Sequence, residues 1–184
     1  MLETCDESTG VAPKRAKTDA AFERVWLAYK PRIMRLVARL SGDSDANDDL
    51  VQEVGVRAFE GFRGFRNESA AYTWLYRIAV NVVLRWREKR RHDTIPLDSP
   101  EASQVRSEGA GPEQRAMQSS LRPAVWAAMA TLPEEQRTTL ILQVYEGLRY
   151  REIGEVLEIP IGTVKSRLNI AMRRMKKELQ DYAL

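Results

Sequence analysis

The chain has 184 residues, of which 43% are hydrophobic and 30% charged, and its formal net charge is +3. That balance belongs to a soluble globular protein, with no apolar run as long as a membrane span and no signal-peptide core at the N-terminus. A single cysteine (Cys5) and a single histidine (His92) exclude an internal disulfide and a usual Cys/His zinc cluster. No metal or cofactor is therefore expected, and a reducing cytoplasm fits best.

In chain order, residues 1–18 are polar, contain Gly10 and Pro13, and read as a disordered tail. Asp19 is placed to cap a helix carrying Phe22, Val25, Trp26 and Tyr29. Pro31 would kink that helix or open a new one through Ile33, Leu36, Val37 and Leu40. Ser41-Gly42-Asp43 breaks the pattern inside an acidic cluster of Asp43, Asp45, Asp48, Asp49 and Glu53. The next helix carries Leu50, Val51, Val54, Ala58 and Phe59, and Gly61 to Asn67 reads as a loop with aromatic and basic residues interleaved. Ser69 then caps a long helix reaching about Arg91.

Residues 93–112 change character, with Pro96, Pro100, Gly109, Gly111 and Pro112 among several serines, which is linker composition. Helices follow near 113–130 and 133–146, with Pro133 in a first turn. No stretch alternates with a period of two, so the expected fold class is all-α. Two small helical domains, 19–92 and 113–184, are joined by a flexible linker, each near the lower size limit for independent stability.

The segment from Arg149 to Arg174 holds the strongest local signal. Tyr150, Ile153, Gly154 and Leu157 keep helical spacing, Ile159-Pro160 interrupts it, and a second pattern starts at Thr163. This is a helix-turn-helix. At roughly 100° per residue, Val164, Leu168, Ala171, Met172 and Met175 share one side of the second helix. Ser166, Asn169, Arg173 and Lys177 fall on or near the other. Asn can pair bidentately with adenine in a major groove, and Arg or Lys can reach guanine.

A second candidate surface lies on the long helix. Tyr72, Leu75, Ala79, Val82 and Trp86 form a core stripe, while Trp74, Arg77, Asn81 and Arg85 share another face. An aromatic, an amide and guanidiniums in line can stack a base, hydrogen-bond its edge and hold phosphates, as single-strand binders do. Trp74 alone reads equally well as an ordinary core residue. Basic patches at 85–91 and 165–177 point to two contacts with one polyanion, which the acidic cluster would repel; that cluster suits a protein partner instead.

A dimeric helix-turn-helix regulator and an RNA-binding protein remain open on these residues. An enzyme is the least supported class. No nucleophile–base pair is brought together by the sequence, and Glu134-Glu135 reads as the acidic first turn of a helix.

The stretches DDLVQEVGVRAFEGFRGF (48–65), YTWLYRIAVN (72–81), LPEEQR (132–137) and PIGTVKSRL (160–168) resemble the two-domain extracytoplasmic function group of bacterial sigma factors. The likeness covers about residues 20–91 and 113–180. It implies that Asp48, Asp49, Leu50, Gln52 and Glu53 dock on a coiled-coil of the largest core RNA polymerase subunit, and that the second domain meets the flap of the second-largest subunit. It implies that Asn81 lines a pocket for a base flipped from the minus-10 non-template strand, with Phe65, Arg66, Asn67, Ser69, Tyr72, Trp74, Arg77 and Arg85 around it. It also implies that Lys165, Ser166 and Asn169 approach minus-35 base edges in duplex DNA, with Arg167 and Arg173 on phosphates and Thr163 also in that interface. No catalytic residue, metal or cofactor follows from the likeness. A sequestering anti-sigma factor and a monomeric free state do.

Arg149, Glu158 and Gly154 depart from the family pattern. Arg149 replaces a Ser or Thr helix cap, Glu158 sits where glycine would turn more easily, and Gly154 replaces an alanine at the helix–helix contact.

Overall fold

The computed structural model describes residues 12–62, 71–93 and 122–180. Its helices are α1 (Ala12–Ser41), α2 (Asn47–Phe62), α3 (Ala71–Asp93), α4 (122–130), α5 (Glu134–Val144), α6 (Tyr150–Leu157) and α7 (Ile161–Glu178), with no strand among the described residues. The all-α class and the two helical units follow the sequence pattern. Among the described residues no helix is long and apolar enough to cross a membrane.

The first helix departs from expectation. It starts at Ala12, so residues 12–18 belong to it and Asp19 lies inside it instead of capping it. Ala and Lys are strong helix formers, and Pro13 falls in the first turn, where an amide would lack an intrahelical acceptor anyway. The helix also runs through Pro31, which is exposed, so water can reach the turn whose hydrogen bond the proline removes.

Helices α1, α2 and α3 pack together around Ile33, Leu36, Val37, Leu50, Val54, Ala58, Leu75, Ala79, Val80 and Val83, each 2% exposed or less. Full burial of one such aliphatic chain contributes about 1.5–3 kcal/mol. Aromatic rings close one end of the bundle: Phe22 meets Phe59 and Phe62 edge-on at 5.2 and 5.4 Å, and Phe62 meets Trp74 at 6.2 Å. Phe59, expected in the core, is 40% exposed because it covers the outer side of Phe22.

Helices α4 to α7 form the second unit around Met129, Ile141, Leu142, Ile153, Val156, Val164 and Ala171. Gly147, at φ +69°, lets the chain reverse between α5 and α6. Trp126 stacks on Tyr145 at 5.5 Å. The two units are not merely tethered: α3 packs against α6, and α1 against α5. A cleft of about 630 Å³ remains between them, lined by Leu84, Glu88 and Arg91 on one side and by Glu134, Leu157 and Arg167 among others on the opposite side.

Candidate nucleic-acid interface

The helix-turn-helix is built by α6 and α7. Arg149 starts α6 in an extended conformation, and its side chain has no acceptor to offer the exposed amides. Half of a capping box survives, because the Arg149 amide donates to Glu152 Oε2 at 2.7 Å. At the other end Glu158 adopts φ +55° and ψ 42°, the left-handed conformation that glycine takes at less cost. The Glu158 and Ile159 amides both donate to the Gly154 carbonyl. A β-carbon at Gly154 would stand 3.0 Å from the Ile159 carbonyl oxygen, so glycine permits the turn to fold this closely.

Pro160 then sets the extended N-cap of α7, with the Thr163 and Val164 amides donating to its carbonyl at 2.9 and 3.1 Å. Val164, Leu168, Ala171 and Met175 are buried, as the periodicity predicts. Met172, predicted on the same side, is 54% exposed, because the buried stripe is narrower than the sequence pattern. Lys165, Ser166, Asn169 and Arg173 are exposed on the other side, and Thr163 is half-buried. The Ser166 hydroxyl donates to the Thr163 carbonyl at 2.9 Å, which leaves its lone pairs as acceptors facing outward. Arg167 does not extend into solvent: it is held by Glu135 of α5 at 2.6 Å.

On α3 the candidate single-strand face is divided. Asn81 and Arg85 are exposed. Trp74 is half-buried against Phe62, and a β-carbon at Gly61 would stand 3.3 Å from its ring, so it serves the core and the surface together. Tyr72 donates its hydroxyl to Glu152 of α6, and Arg77 pairs with Glu158 at 3.2 Å. The Tyr72 hydroxyl and the Arg149 amide hold the Glu152 carboxyl below its usual range, and the same contact raises Tyr72. Phe65, Arg66, Asn67 and Ser69 lie outside the described residues.

The acidic cluster separates into two parts. Asp43 turns inward, accepting from the amides of Asp45 at 2.9 Å and Ala46 at 3.2 Å and pairing with Arg90. Burial acts to raise its carboxyl, but these donors outweigh that and hold it low. Asp48 and Asp49 stand exposed in the first turn of α2, favourably placed for the helix dipole, with Gln52 and Glu53 exposed one turn on. Glu53 bonds Arg57 at 2.7 Å. Leu50, grouped with them in the sequence, is 2% exposed; it anchors α2 in the bundle and offers no outward contact.

Several polar residues at the junction of the units carry no periodic signal and escape sequence reading. Glu146, in the turn before Gly147, accepts from Arg39 Nη1 at 2.7 Å and from the Tyr76 hydroxyl at 2.9 Å. Its side chain is 5% exposed and that of Arg39 13%, and Arg39 also lies 4.9 Å above the Tyr145 ring. Burial, then the Glu146 carboxylate, push the Tyr76 hydroxyl well above the ordinary phenol range. Glu134 pairs with Arg87 at 3.3 Å and with Arg91.

Residues 25–92 match Sigma-70 region 2, and residues 122–175 match Sigma-70, region 4. The RNA polymerase sigma-H factor of Pseudomonas aeruginosa is 34% identical over 167 residues, which cover 87% of this chain and 86% of that relative. The ECF RNA polymerase sigma-E factor of Escherichia coli K12 is likewise 34% identical over 167 residues, covering 87% of each. Among solved structures, the sigma factor RpoE in complex with the anti-sigma factor NepR from Bartonella quintana aligns with a TM-score of 0.71 and 25% identity, over 87% of this chain and 97% of that one. CnrH in complex with the cytosolic domain of CnrY shares the fold, with a TM-score of 0.64 and 18% identity, over 92% of this chain and 96% of that one. With both regions matched in order and the shared identity running through most of the chain, this protein belongs to the extracytoplasmic function sigma factors, initiation factors of bacterial RNA polymerase.

Proposed function

We propose that the chain is a dissociable initiation subunit that brings core RNA polymerase to promoters through three separate surfaces. Asp48, Asp49, Gln52 and Glu53 on α2 dock on the clamp coiled-coil of the largest subunit, and the region 4 unit meets the flap of the second-largest. Helix α7 enters the minus-35 major groove with Lys165, Ser166 and Asn169 at base edges and Thr163, Arg167 and Arg173 at the backbone. Helix α3, with Phe65, Arg66, Asn67 and Ser69 before it, holds the minus-10 non-template strand. Asn81 bonds the edge of a flipped base there, with Tyr72, Trp74, Arg77 and Arg85 around it. Extruding a base costs a few kcal/mol, which a shaped pocket offsets for the right base, so strand opening is driven by binding. The chain works in the cytoplasm as a monomer when free, without cofactor or catalytic residue. An anti-sigma factor sequesters it, a reading supported by its likeness to RpoE, which was solved with NepR.

The observation that carries this reading is the split of α7, with four exposed polar side chains opposite four buried apolar ones. The test is transcription by purified core polymerase on genomic fragments, with and without the chain. New transcripts starting at defined sites only when it is present are expected. Duplex binding without any association with core would reverse the conclusion in favour of a conventional regulator. Asp49→Arg is expected to weaken core association while helix content by circular dichroism stays unchanged.

A further inference from the structure

We propose that the free chain inhibits itself: the region 4 unit clamps onto the promoter-melting side of region 2, and the buried Glu146 carboxylate is the latch. The inference rests on the minus-10 reading of α3 given above.

Among the described residues the cross-unit ion pairs all have the same polarity. Arg39–Glu146, Arg77–Glu158, Arg87–Glu134 and Arg91–Glu134 each take the base from region 2 and the acid from region 4. Tyr72–Glu152 and Tyr76–Glu146 repeat that polarity with hydroxyl donors. The region 4 unit thus presents a row of carboxylates to a surface of guanidiniums and phenols. A nucleic-acid strand would present phosphate oxygens to the same donors. Glu152 and Glu158 occupy Tyr72 and Arg77, two residues of the proposed minus-10 face, so closure and strand capture compete for the same groups.

Within that row Glu146 differs from the rest. Its carboxylate is nearly fully buried and receives one donor on each oxygen, Arg39 on Oε1 and Tyr76 on Oε2. Glu158 and Arg91, by contrast, are exposed and add little. Removing one partner of a buried pair strands the other charge in the closed state, whereas in the open state water receives it. A substitution at Glu146 therefore biases the chain toward opening. The face of α7 is not involved: Lys165, Asn169 and Arg173 stay exposed in the closed form.

The test uses the full chain with Cys5→Ser and dyes at Arg24→Cys and Glu178→Cys, both exposed positions. Energy transfer reports closure, and a labelled single-stranded oligonucleotide carrying a mapped minus-10 sequence reports access. Glu146→Arg is expected to lower transfer and to raise single-strand affinity roughly tenfold or more. Arg39→Glu combined with Glu146→Arg is expected to restore both. Tyr76→Phe, which removes only a hydroxyl, moves both readouts the same way by less and serves if Glu146→Arg loses helix content. Unchanged transfer in both variants would overturn the latch. Lower transfer with unchanged affinity would overturn the masking. If affinity rises but Asn81→Ala in the Glu146→Arg background binds equally well, the minus-10 assignment fails and the latch stands.

Discussion

The two candidate nucleic-acid faces of this sigma factor differ in how far the other unit engages them. On α7 Lys165, Ser166, Asn169 and Arg173, proposed to meet duplex DNA, are exposed, while Arg167 is drawn in by Glu135 of its own unit. On α3, Tyr72 and Arg77 are bound by the other unit and Trp74 is half-buried. A major-groove reader is charged and hydrated, and can wait in water at little cost. A surface that takes unstacked bases needs aromatic rings, which are costly to leave exposed. On α3 that cover is partial, because Asn81 and Arg85 stay exposed beside it.

The largest expected effect removes one unit from the comparison. Leu168→Ala cuts a nearly fully buried side chain between α7 and the rest of region 4, and should cost about 2–5 kcal/mol in denaturant unfolding. Duplex binding should fall with it. Next, Asn81→Ala and Asn169→Ala should separate the faces, each losing about 1–3 kcal/mol at its own element. The first lowers open-complex formation more than minus-35 binding, and the second does the reverse; equal losses at both elements would contradict the division of labour. A third pair probes the turn that aims α7. Gly154→Ala brings a β-carbon to 3.0 Å from the Ile159 carbonyl, a crowding that opposes the roughly 1 kcal/mol gained in helix propensity, so stability should move by less than about 1 kcal/mol. Glu158→Gly relieves a left-handed residue and should gain about 0.5 kcal/mol in thermal unfolding, net of the exposed Arg77 pair.

The smallest effect is a pH dependence. The Tyr76 hydroxyl titrates above its ordinary 10.0, through burial and then Glu146, against the opposing influence of Arg32 and Arg35. A group raised in the folded state adds stability that is fully present below its unfolded value and lost as pH climbs toward the folded one. The contribution of Tyr76 should therefore persist to about pH 10 and decline above it. Tyrosine absorbance should show Tyr76 among the late-titrating groups, beside Tyr72 and Tyr145, and Glu146→Gln should bring Tyr76 earlier.

Much of this was legible in the residues, and what was missed has identifiable causes. Val164, Leu168, Ala171 and Met175, like Leu75, Ala79 and Val82, repeat at helical spacing, and all are buried. Local turn chemistry was legible as well: the departures noted at Arg149, Gly154 and Glu158 correspond to a half-made capping box, a close approach and a left-handed residue. Periodicity cannot rank residues at the margin of a stripe, which is why Met172 and Phe59 proved more exposed than their positions imply. Propensity carried α1 back to Ala12, past a cap signal at Asp19 that no helix start uses. Leu50 shares a motif with exposed acids yet points into the bundle, a distinction that motif reading alone does not make. The junction was illegible because Arg39 and Glu146 stand 107 residues apart and neither belongs to a repeating pattern.

The contact between Arg167 and Glu135 has a consequence for ions in solution. Each cation displaced from DNA by a basic side chain steepens the fall of affinity with salt by about 0.9 in the logarithmic slope. Lys165 and Arg173, both exposed, should each displace one. Arg167 can reach a phosphate only by letting go of Glu135, which then attracts a cation of its own, so the net release from that residue is close to zero. A salt titration of minus-35 binding should thus count fewer ions than there are basic residues on the face. Glu135→Gln should bring the missing ion back, making binding tighter in dilute buffer and more sensitive to salt.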